Sequence, residues 1–279
     1  MKRIIAAIDG LKFSDSTVKY AVHIAQQVNA KVVGVFLEDT TYHSYKMYEL
    51  IAHEDLLPER RAGYDRKDQK QREEAILNFK DICAGERVEC SIHHDRNIPL
   101  TELLHESIYA DLLIIDSSQS LTYCEEATPT RFIKDLLSEA QCPVLVVPKE
   151  FNPIHKLTLL YDGEPSSVFA IRMFSYVLST FKNQPTEVIT VSHSGKADHH
   201  IDNRLMKEFM KQHYPKAEYT VLIGDPETEI IDQLREQGRN MVIVLGAYRR
   251  GTVSRWLKAS MADTLMEELK VPLFIAHCK

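Results

Sequence analysis

The sequence lacks any long apolar run, any Cys-x-x-Cys pair and any excess of basic charge. A membrane-spanning helix needs roughly 18 or more apolar residues, whereas the N-terminal run at 4–8 ends after five residues, at Asp9. That run is also shorter than the apolar region of a signal peptide, which is about 7–15 residues long. We therefore interpret it as a buried strand, and we expect a cytoplasmic protein without a membrane partner.

The chain has few cysteines and a negative net charge. The 279 residues include only five cysteines, an odd number, and the net charge is −6. A chain of this length does not depend on a disulfide framework, so we expect reduced thiols. A protein that binds nucleic acid mainly through electrostatics would show a basic footprint, so we expect no nucleic-acid partner. A small anionic ligand held by a local site remains compatible with this charge.

Common catalytic motifs are also missing. Neither Gly-x-Ser-x-Gly nor Gly-x-x-x-x-Gly-Lys-Ser/Thr occurs, and these are the usual signatures of a serine nucleophile and of a P-loop. Cys124, Cys142 and Cys278 have no neighbour in sequence that would lower a thiol pKa, so we interpret them as inert. The adjacent histidines at 93–94 and 199–200 diverge on a strand or a helix, so neither pair chelates a metal alone. We predict no catalytic residue and no resident metal.

Three apolar stretches recur in the same order in the two halves of the chain. IIAAIDG (4–10) is echoed by LTLLYDG (157–163), ADLLIIDSS (110–118) by NMVIVLGAY (240–248), and CPVLVVPK (142–149) by VPLFIAHCK (271–279). Each stretch has the length of a buried strand. The repeat predicts two domains, at 1–149 and 154–279, joined by a short linker that contains Pro148 and Pro153.

The first half is longer than the second. The offset between equivalent positions is 153 from Asp9 to Asp162 but only 129 from Pro143 to Pro272. The change in offset places an insertion between about residues 38 and 86, and that stretch is strongly charged. We expect an extra helix or a solvated loop there, projecting from the first domain.

Apolar runs alternate with amphipathic stretches, which is typical of βαβ units. The predicted fold class is α/β, with two tandem Rossmann-like domains that each contain a five-stranded parallel sheet flanked by helices. Ser14 is predicted to cap the first helix, and Ser166 or Ser167 the corresponding helix of the second half. Strands are predicted near 2–8, 31–37, 87–93, 111–115 and 143–147, and again near 156–161, 187–192, 218–223, 240–245 and 271–276.

One end of the second predicted sheet carries a candidate ligand site. Ligands of open parallel sheets bind beyond the carboxyl ends of the strands, where the strand order reverses. Strand one of the second half ends at Asp162 and Gly163, and strand four ends at Gly246. A glycine there lets a phosphate approach backbone N–H groups, and a following helix start favours an anion. Arg249 and Arg250 add positive charge, so we predict an anionic ligand such as a nucleotide.

With these features the chain resembles the universal stress protein family. The tandem halves, the aspartate after strand one and the glycine after strand four carry the resemblance, which covers nearly the whole chain outside the insertion. It implies two domains of the adenine-nucleotide-alpha-hydrolase-like fold and a stress-response binding or regulatory protein rather than an enzyme. Nucleotide-binding members carry Gly-x-x-Gly, nine further residues, and then Gly-Ser or Gly-Thr. Their aspartate lies near the nucleotide and its metal.

The second half keeps part of that family pattern. Gly246 occupies the first glycine position and Ser260 keeps the hydroxyl. Arg249 and Ala259 replace the other two glycines, and a histidine follows strand two, where a backbone group meets the adenine in the family. The resemblance thus implies ATP, ADP or AMP with Mg²⁺ as the ligand. The candidate nucleotide-binding residues are Asp162, Gly163, His193, Gly246, Arg249, Arg250, Ala259 and Ser260.

The first half departs further from the pattern. Asp9 is kept, but Asp116 replaces the first glycine and Gln119 the second. Pro129 replaces the third glycine and is followed by Thr130. A carboxylate at the phosphate position repels phosphates at close range. We therefore predict that the first domain does not bind a nucleotide in the manner of the family.

Three functions stay open at this point. The first is a stress protein that binds an adenine nucleotide in its second domain. The second is a nucleotide-free interaction module with a degenerate phosphate loop and an unknown protein partner, which the charged insertion would contact. The third is a slow, incidental ATPase. In this family the terminal strands commonly pair across a dimer interface, so we expect a homodimer through those strands, or the same contact between the two halves of one chain.

Overall fold

A computed structural model of the chain describes residues 2–38, 57–95, 98–122, 126–192, 204–247 and 259–277. These residues form an α/β structure with one ten-stranded sheet and helices on both of its faces. None of the described helices is long and apolar enough to cross a membrane. The predicted fold class is confirmed.

The ten strands lie where the apolar runs predicted them, within about three residues. They are β1 (Lys2–Asp9), β2 (Ala30–Leu37), β3 (Cys90–Asp95), β4 (Leu112–Asp116), β5 (Val144–Val147), β6 (Lys156–Leu160), β7 (Thr186–Ser192), β8 (Glu218–Ile223), β9 (Met241–Leu245) and β10 (Leu273–Ile275).

A helix follows each strand except β5, which leads directly to β6, and β10. The helices are α1 (Asp15–Val28), α2 (Leu57–Gly85), α3 (Pro99–Ser107), α4 (Arg131–Glu139), α5 (Pro165–Val177), α6 (Arg204–His213), α7 (Pro226–Arg235) and α8 (Ala259–Glu268), and a short 3₁₀ helix spans Ser179–Asn183.

The two halves share one strand order and meet at the centre of the sheet. The order is β3-β2-β1-β4-β5-β10-β9-β6-β7-β8, so the second half repeats the first in reverse. Neighbouring strands are parallel within each half, and β5 pairs with β10 antiparallel, with Leu273 opposite Val146. The contact between terminal strands therefore forms within one chain. Because β5 and β10 both have neighbours on either side, neither offers a free edge to a second copy. The expected alternative, contact between the two halves of one chain, is confirmed.

Capping confirms one of the two helix predictions and corrects the other. Ser14 caps α1, because its side chain accepts a hydrogen bond from the backbone N–H of Thr17. Helix α5 instead begins with Pro165 after Glu164, so Ser166 and Ser167 lie inside its first turn. Proline at the first helical position loses no intrahelical hydrogen bond, which explains why α5 begins before the serines.

The charged insertion contains a helix that packs into the core instead of projecting. Helix α2 has 29 residues, and Ala75, Phe79 and Cys83 on one of its faces are buried. A Cβ atom at Gly34 on β2 would lie 2.9 Å from the Phe79 ring, so this glycine lets the helix approach the sheet. The expected projection from the domain is wrong for α2. This helix is also not an extra one, because α6 lies at the same place in the second half, between β7 and β8. Residues 39–56 of the insertion lie outside the described part of the chain.

Two apolar clusters, one on each face of the sheet, stabilise the fold. The first contains side chains from α1, α2, α5 and α6, and the second from α3, α4, α7 and α8. Each cluster includes strand residues from both halves, such as Ile4 and Phe274 in the first. Burial contributes about 25 cal/mol per Å² of apolar surface, so both clusters stabilise the sheet. Because the strands are packed on both faces, their carboxyl ends are held in fixed positions.

Candidate functional site

The strand order reverses once in each half, and the two points are equivalent. Strand β1 lies between β2 and β4, and β6 lies between β7 and β9. The chain leaves β1 and β4 at Asp9 and Asp116, and it leaves β6 and β9 close to Asp162 and Gly246. These positions are where open parallel sheets bind their ligands.

In the second half, Asp162 fixes the turn that joins β6 to α5. Its side chain is 2% exposed, and its Oδ1 accepts a hydrogen bond of 3.0 Å from the backbone N–H of Glu164. Gly163 has a φ of 82°, a left-handed conformation that glycine adopts without strain. The Asp-Gly sequence thus makes a tight turn that holds a buried carboxylate at the edge of the site.

Gly246 lies against the start of α5. A Cβ atom built on it would overlap the carbonyl oxygen of Ser166 and lie 2.8 Å from the backbone nitrogen of Ser167. Only glycine allows this approach of helix to strand end. The sequence suggests a glycine that admits a phosphate, and the structure adds a packing reason for the same residue.

The structure describes only part of the predicted nucleotide-binding set. It brings Asp162, Gly163 and Gly246 together at neighbouring strand ends. Ala259 and Ser260 are the first two residues of α8, but their side chains are not described. The other three predicted residues lie outside the described part of the chain, and they are His193, Arg249 and Arg250.

In the first half, Asp9 is held by hydrogen bonds from within the protein. Its carboxylate is 1% exposed, and Oδ1 accepts the backbone N–H groups of Leu11 at 2.7 Å and Lys12 at 3.2 Å. Oδ2 accepts the side-chain amide of Gln119 at 3.1 Å. Gln119, at the second glycine position of the family pattern, therefore contacts the strand-end aspartate directly.

Asp116 is also satisfied by neighbouring residues. Its Oδ2 accepts the hydroxyl of Ser14 at 2.8 Å, and its Oδ1 accepts the backbone N–H of Ser118 at 2.8 Å and its hydroxyl at 2.7 Å. Ser14 thus caps α1 and links it to the end of β4. The sequence singled out Asp116 and Gln119 as departures from the pattern, but it gave no signal for this connection through Ser14.

A cavity of about 390 Å³ opens beside this first-half network. Its lining includes Lys12, Asp116, Ser118 and Lys149. A second cavity of about 300 Å³ shares Ser118 and Lys149 and extends to Lys270 near α8. The surface mixes both signs of charge with hydroxyl groups, so it suits hydrogen bonding to a small polar molecule better than a cluster of phosphates.

Among the histidines and cysteines that the sequence singled out, the described ones have structural contacts, whereas Cys124, Cys278 and the histidines at 199–200 lie outside the described part of the chain. Nδ1 of His93 lies 2.6 Å from Oε1 of Glu106, whereas the ring of His94 stacks on Phe36 at 5.4 Å between centroids. The two histidines therefore point to opposite faces of the sheet, as expected for adjacent strand residues. Burial raises the pKa of the Cys142 thiol to about 12, which suits an unreactive residue.

The comparisons with known proteins agree with this fold. The family model of the universal stress protein family matches residues 1–148, which is more than half of the 279-residue chain. The chain therefore belongs to the universal stress protein family. No curated protein matches the sequence.

Solved structures resemble the chain over its whole length. A universal stress protein from Archaeoglobus fulgidus has a TM-score of 0.70 at 14% identity, covering 99% of this chain and 98% of that one. A functionally unknown protein from Pseudomonas aeruginosa has a TM-score of 0.62 at 13% identity, with coverage of 99% and 92%. The cytoplasmic domain of a prokaryotic cation chloride cotransporter has a TM-score of 0.52 at 11% identity, with coverage of 99% and 95%. At these identities the likeness concerns the fold.

Proposed function

We propose that this universal stress protein is a cytoplasmic regulatory protein whose second domain, 154–279, binds one adenine nucleotide. The ligand would lie beyond the carboxyl ends of β6 and β9. Asp162 and Gly163 would border it on one side, and the segment that begins at Gly246 would border it on the other. Arg249 and Ser260 would supply a guanidinium and a hydroxyl for the phosphates. The nucleotide would act as a conformational signal, so the protein would not be an enzyme.

The difference between the two halves is the observation that carries this proposal. At the first glycine position the first half has Asp116, whose carboxylate lies in the cavity lining. The second half has Gly246 at that position and no side chain there. Phosphates avoid a fixed carboxylate, so the second half is the one suited to them. We accordingly assign the first domain, 1–149, to packing and partner recognition.

ATP, ADP and AMP share the adenosine and phosphate groups that this site would contact. Mg²⁺ would accompany ATP or ADP, because it binds phosphate oxygens together with one or two carboxylates. Asp162, at the end of β6, would be the carboxylate that takes part. A phosphate release that depends on Mg²⁺ and disappears in Asp162→Asn would favour the slow ATPase instead.

The contact that Gly246 makes leaves a second candidate open, a nucleotide-free interaction module. Gly246 packs on the backbone of Ser166 and Ser167, so the fold requires this glycine without any ligand. In that case the protein would act through a protein partner, and the surface of the insertion around α2 would be its contact. The same glycine is therefore compatible with both candidates, and binding measurements must separate them.

The test is a calorimetric titration of ATP, with and without Mg²⁺, into the wild type and two matched variants. Asp162→Asn removes the charge in the second half but keeps an oxygen for the N–H of Glu164. Asp9→Asn makes the same change in the first half. We expect one nucleotide per chain, binding that is lost or strongly weakened in Asp162→Asn, and unchanged binding in Asp9→Asn.

Thermal unfolding provides an independent measurement. A ligand at 100 times its dissociation constant stabilises the native state by about 2.7 kcal/mol, so ATP should raise the Tm of the wild type. If millimolar ATP gives neither heat nor a shift in Tm, the nucleotide proposal is wrong and the interaction module takes its place. Equal losses in both variants would show that the carboxylates act through folding, not through the ligand.

A further inference from the structure

A further cavity lies at the amino-terminal edge of the sheet in the second half. Its volume is about 510 Å³, which is larger than that of either cavity described above. It begins at Pro185 and Thr186, where the chain enters β7, and extends to the segment that joins α6 to β8. Strands β6, β7 and β8 are parallel, so Asp162 lies at the other edge, beyond the carboxyl end of β6. The seven residues of a strand such as β7 span roughly 20 Å, and the two sites are therefore separate.

The lining of this cavity is basic and polar. Its polar side chains include Lys182, Asn183, Gln184, Gln212, His213 and Lys216. Among the described residues, none of those in the lining is acidic, and neither of the two lysines makes an ion pair. The cavity therefore has positive charge that no ion pair within the described residues balances. A concave surface with one sign of charge attracts small ions of the opposite sign.

The imidazole of His213 is fixed in the wall of the cavity by hydrogen bonding and packing. The hydroxyl of Ser175 donates a hydrogen bond of 2.8 Å to the carbonyl oxygen of Arg172, and its oxygen lies 2.8 Å from Nδ1 of His213. Because the single hydroxyl proton is used in the first contact, Nδ1 carries a proton and donates it to Ser175. The ring also packs on Phe209 at 4.4 Å between centroids. The nitrogen that remains for a ligand is Nε2.

The charge state of this histidine indicates what Nε2 can bind. Burial, together with the positive charges of Lys182 and Arg172, lowers the pKa of His213 below its ordinary value of 6.5. The imidazole is therefore neutral at pH 7, with its proton on Nδ1. In this form Nε2 is a hydrogen-bond acceptor, so it suits a ligand hydroxyl, while the lysines suit an anionic group.

Two helix ends give the lysines an alternative role. Both α6 and the 3₁₀ helix end at this cavity, and cations stabilise the carboxyl ends of helices. Part of this need is already met, because the carbonyls of Phe181 and Met210 accept the backbone N–H groups of Gln184 and Tyr214. A role limited to the helix ends predicts lysines that affect stability without binding any anion, and the experiment below separates the two roles.

We propose that this cavity binds a small organic anion that also carries hydroxyl groups, such as a sugar phosphate or a hydroxycarboxylate. Lys182 and Lys216 would bind the anionic oxygens, and Nε2 of His213 would accept a hydroxyl of the ligand. The side-chain amides of Asn183 and Gln212 would bind further hydroxyl groups. The volume of about 510 Å³ lies within the range of roughly 300–1,000 Å³ that small-molecule sites occupy. The protein would then hold two ligands at opposite edges of its second half.

The test is a calorimetric titration of glucose 6-phosphate, citrate and uncharged glucose into the full chain. We expect one of the two anions to bind at one per chain, which also decides between phosphate and carboxylate, and we expect no binding of glucose. Lys182→Gln with Lys216→Gln should weaken binding at least about tenfold, because hydrogen bonds to charged groups are lost. Lys216 is exposed, so Lys216→Gln alone preserves the fold and should by itself weaken binding.

The matched control is Lys211→Gln, which removes the same charge from an exposed position on α6 outside the cavity lining. It should bind the anion like the wild type. The double variant should still bind ATP, and Asp162→Asn should still bind the anion, so this proposal and the nucleotide proposal can fail independently. The anion site is refuted if neither anion binds at millimolar concentration or if glucose binds as tightly. It is also refuted if the double variant loses stability but keeps its affinity, or if Lys211→Gln weakens binding equally.

Discussion

At the scale of single residues, glycines of this chain have different roles that the sequence cannot separate. Gly246 is in contact with the backbone at the start of α5, whereas a Cβ atom added at Gly63, inside α2, would meet nothing within 4 Å. The first is required by close packing. The second carries only the entropic cost of glycine in a helix, about 0.5–1 kcal/mol relative to alanine.

These two glycines should respond in opposite directions to alanine. We expect Gly246→Ala to lower the free energy of unfolding by roughly 2–4 kcal/mol, because the methyl group would overlap backbone atoms that cannot rotate away. Gly63→Ala should raise it by about 0.5–1 kcal/mol. Urea denaturation measures both. A neutral Gly246→Ala would contradict the packing role and strengthen the case for a ligand role.

Glu187 is a second residue whose role only the structure reveals. It is buried on β7 and accepts hydrogen bonds from Lys156 Nζ at 2.7 Å and Thr220 Oγ1 at 2.6 Å, and also from the amide of Gln237 at 3.0 Å. Burial alone would raise the pKa of Glu187, but these hydrogen bonds outweigh it and bring the pKa below its ordinary value of 4.5. The folded state therefore favours the carboxylate.

This pKa predicts a pH dependence of stability. A lowered folded-state pKa contributes stability that is fully present above the unfolded value of 4.5 and is lost as the pH falls through the folded value. Glu187→Gln should thus cost about 1–3 kcal/mol at pH 7, and the difference from wild type should shrink below pH 4.5. The control is Glu150→Gln, whose ion pair with Arg239 is exposed, and it should change stability by less than about 0.5 kcal/mol. An equal cost at pH 7 and pH 3 would contradict this account.

At the scale of elements, the insertion helix shows why charge in a sequence is a weak guide to exposure. Helix α2 is strongly charged, yet Phe79 is fully buried against β2 while Leu77 is 57% exposed. One face of a long helix is enough to build a core contact, and most of the charged residues occupy the others, although Asp68 is buried. The sequence predicted the insertion from the repeat offset, but not which face would meet the sheet.

Two alanine substitutions test whether α2 is part of the core. Phe79→Ala should lower the free energy of unfolding by about 3–5 kcal/mol, since it leaves a cavity between helix and sheet. Leu77→Ala should have an effect within about 0.5 kcal/mol, because its side chain already contacts water. Similar small effects for both would mean that the helix is only loosely attached.

At the scale of the whole molecule, the pairing of the two halves through β5 and β10 leaves free sheet edges only at the two ends of the ten-stranded sheet. Strands β3 and β8 are the outermost strands. On β8, the alternate residues Tyr219, Val221 and Ile223 are 41%, 45% and 61% exposed and share one face. In the first half the matching face is packed against the long α2, whereas the described part of α6 in the second half has ten residues. An exposed apolar edge strand tends to pair with another chain.

The homodimer that we expect would therefore use β8 rather than the terminal strands. Antiparallel pairing of two copies about Val221 would place Tyr219 opposite Ile223, an aromatic and β-branched pair that stabilises sheets. Sedimentation should show a dimer for the wild type at micromolar concentration and a monomer for Val221→Lys. Ile108→Lys, at a site that is 56% exposed in the first half, should remain dimeric. If the wild type is a monomer at that concentration, the proposed pairing through β8 is wrong.

The sequence by itself determined the fold class, the repeat and nearly every strand, because buried parallel strands must be short, apolar and bounded by turn residues. It also marked Asp9 and Asp162 at equivalent strand ends. Only the tertiary structure decided the rest: the packing of α2, the start of α5, the contact of Gly246 with Ser166, and the pairing of β5 with β10. Each of these depends on which surfaces distant segments present to one another, and local periodicity carries no information about that.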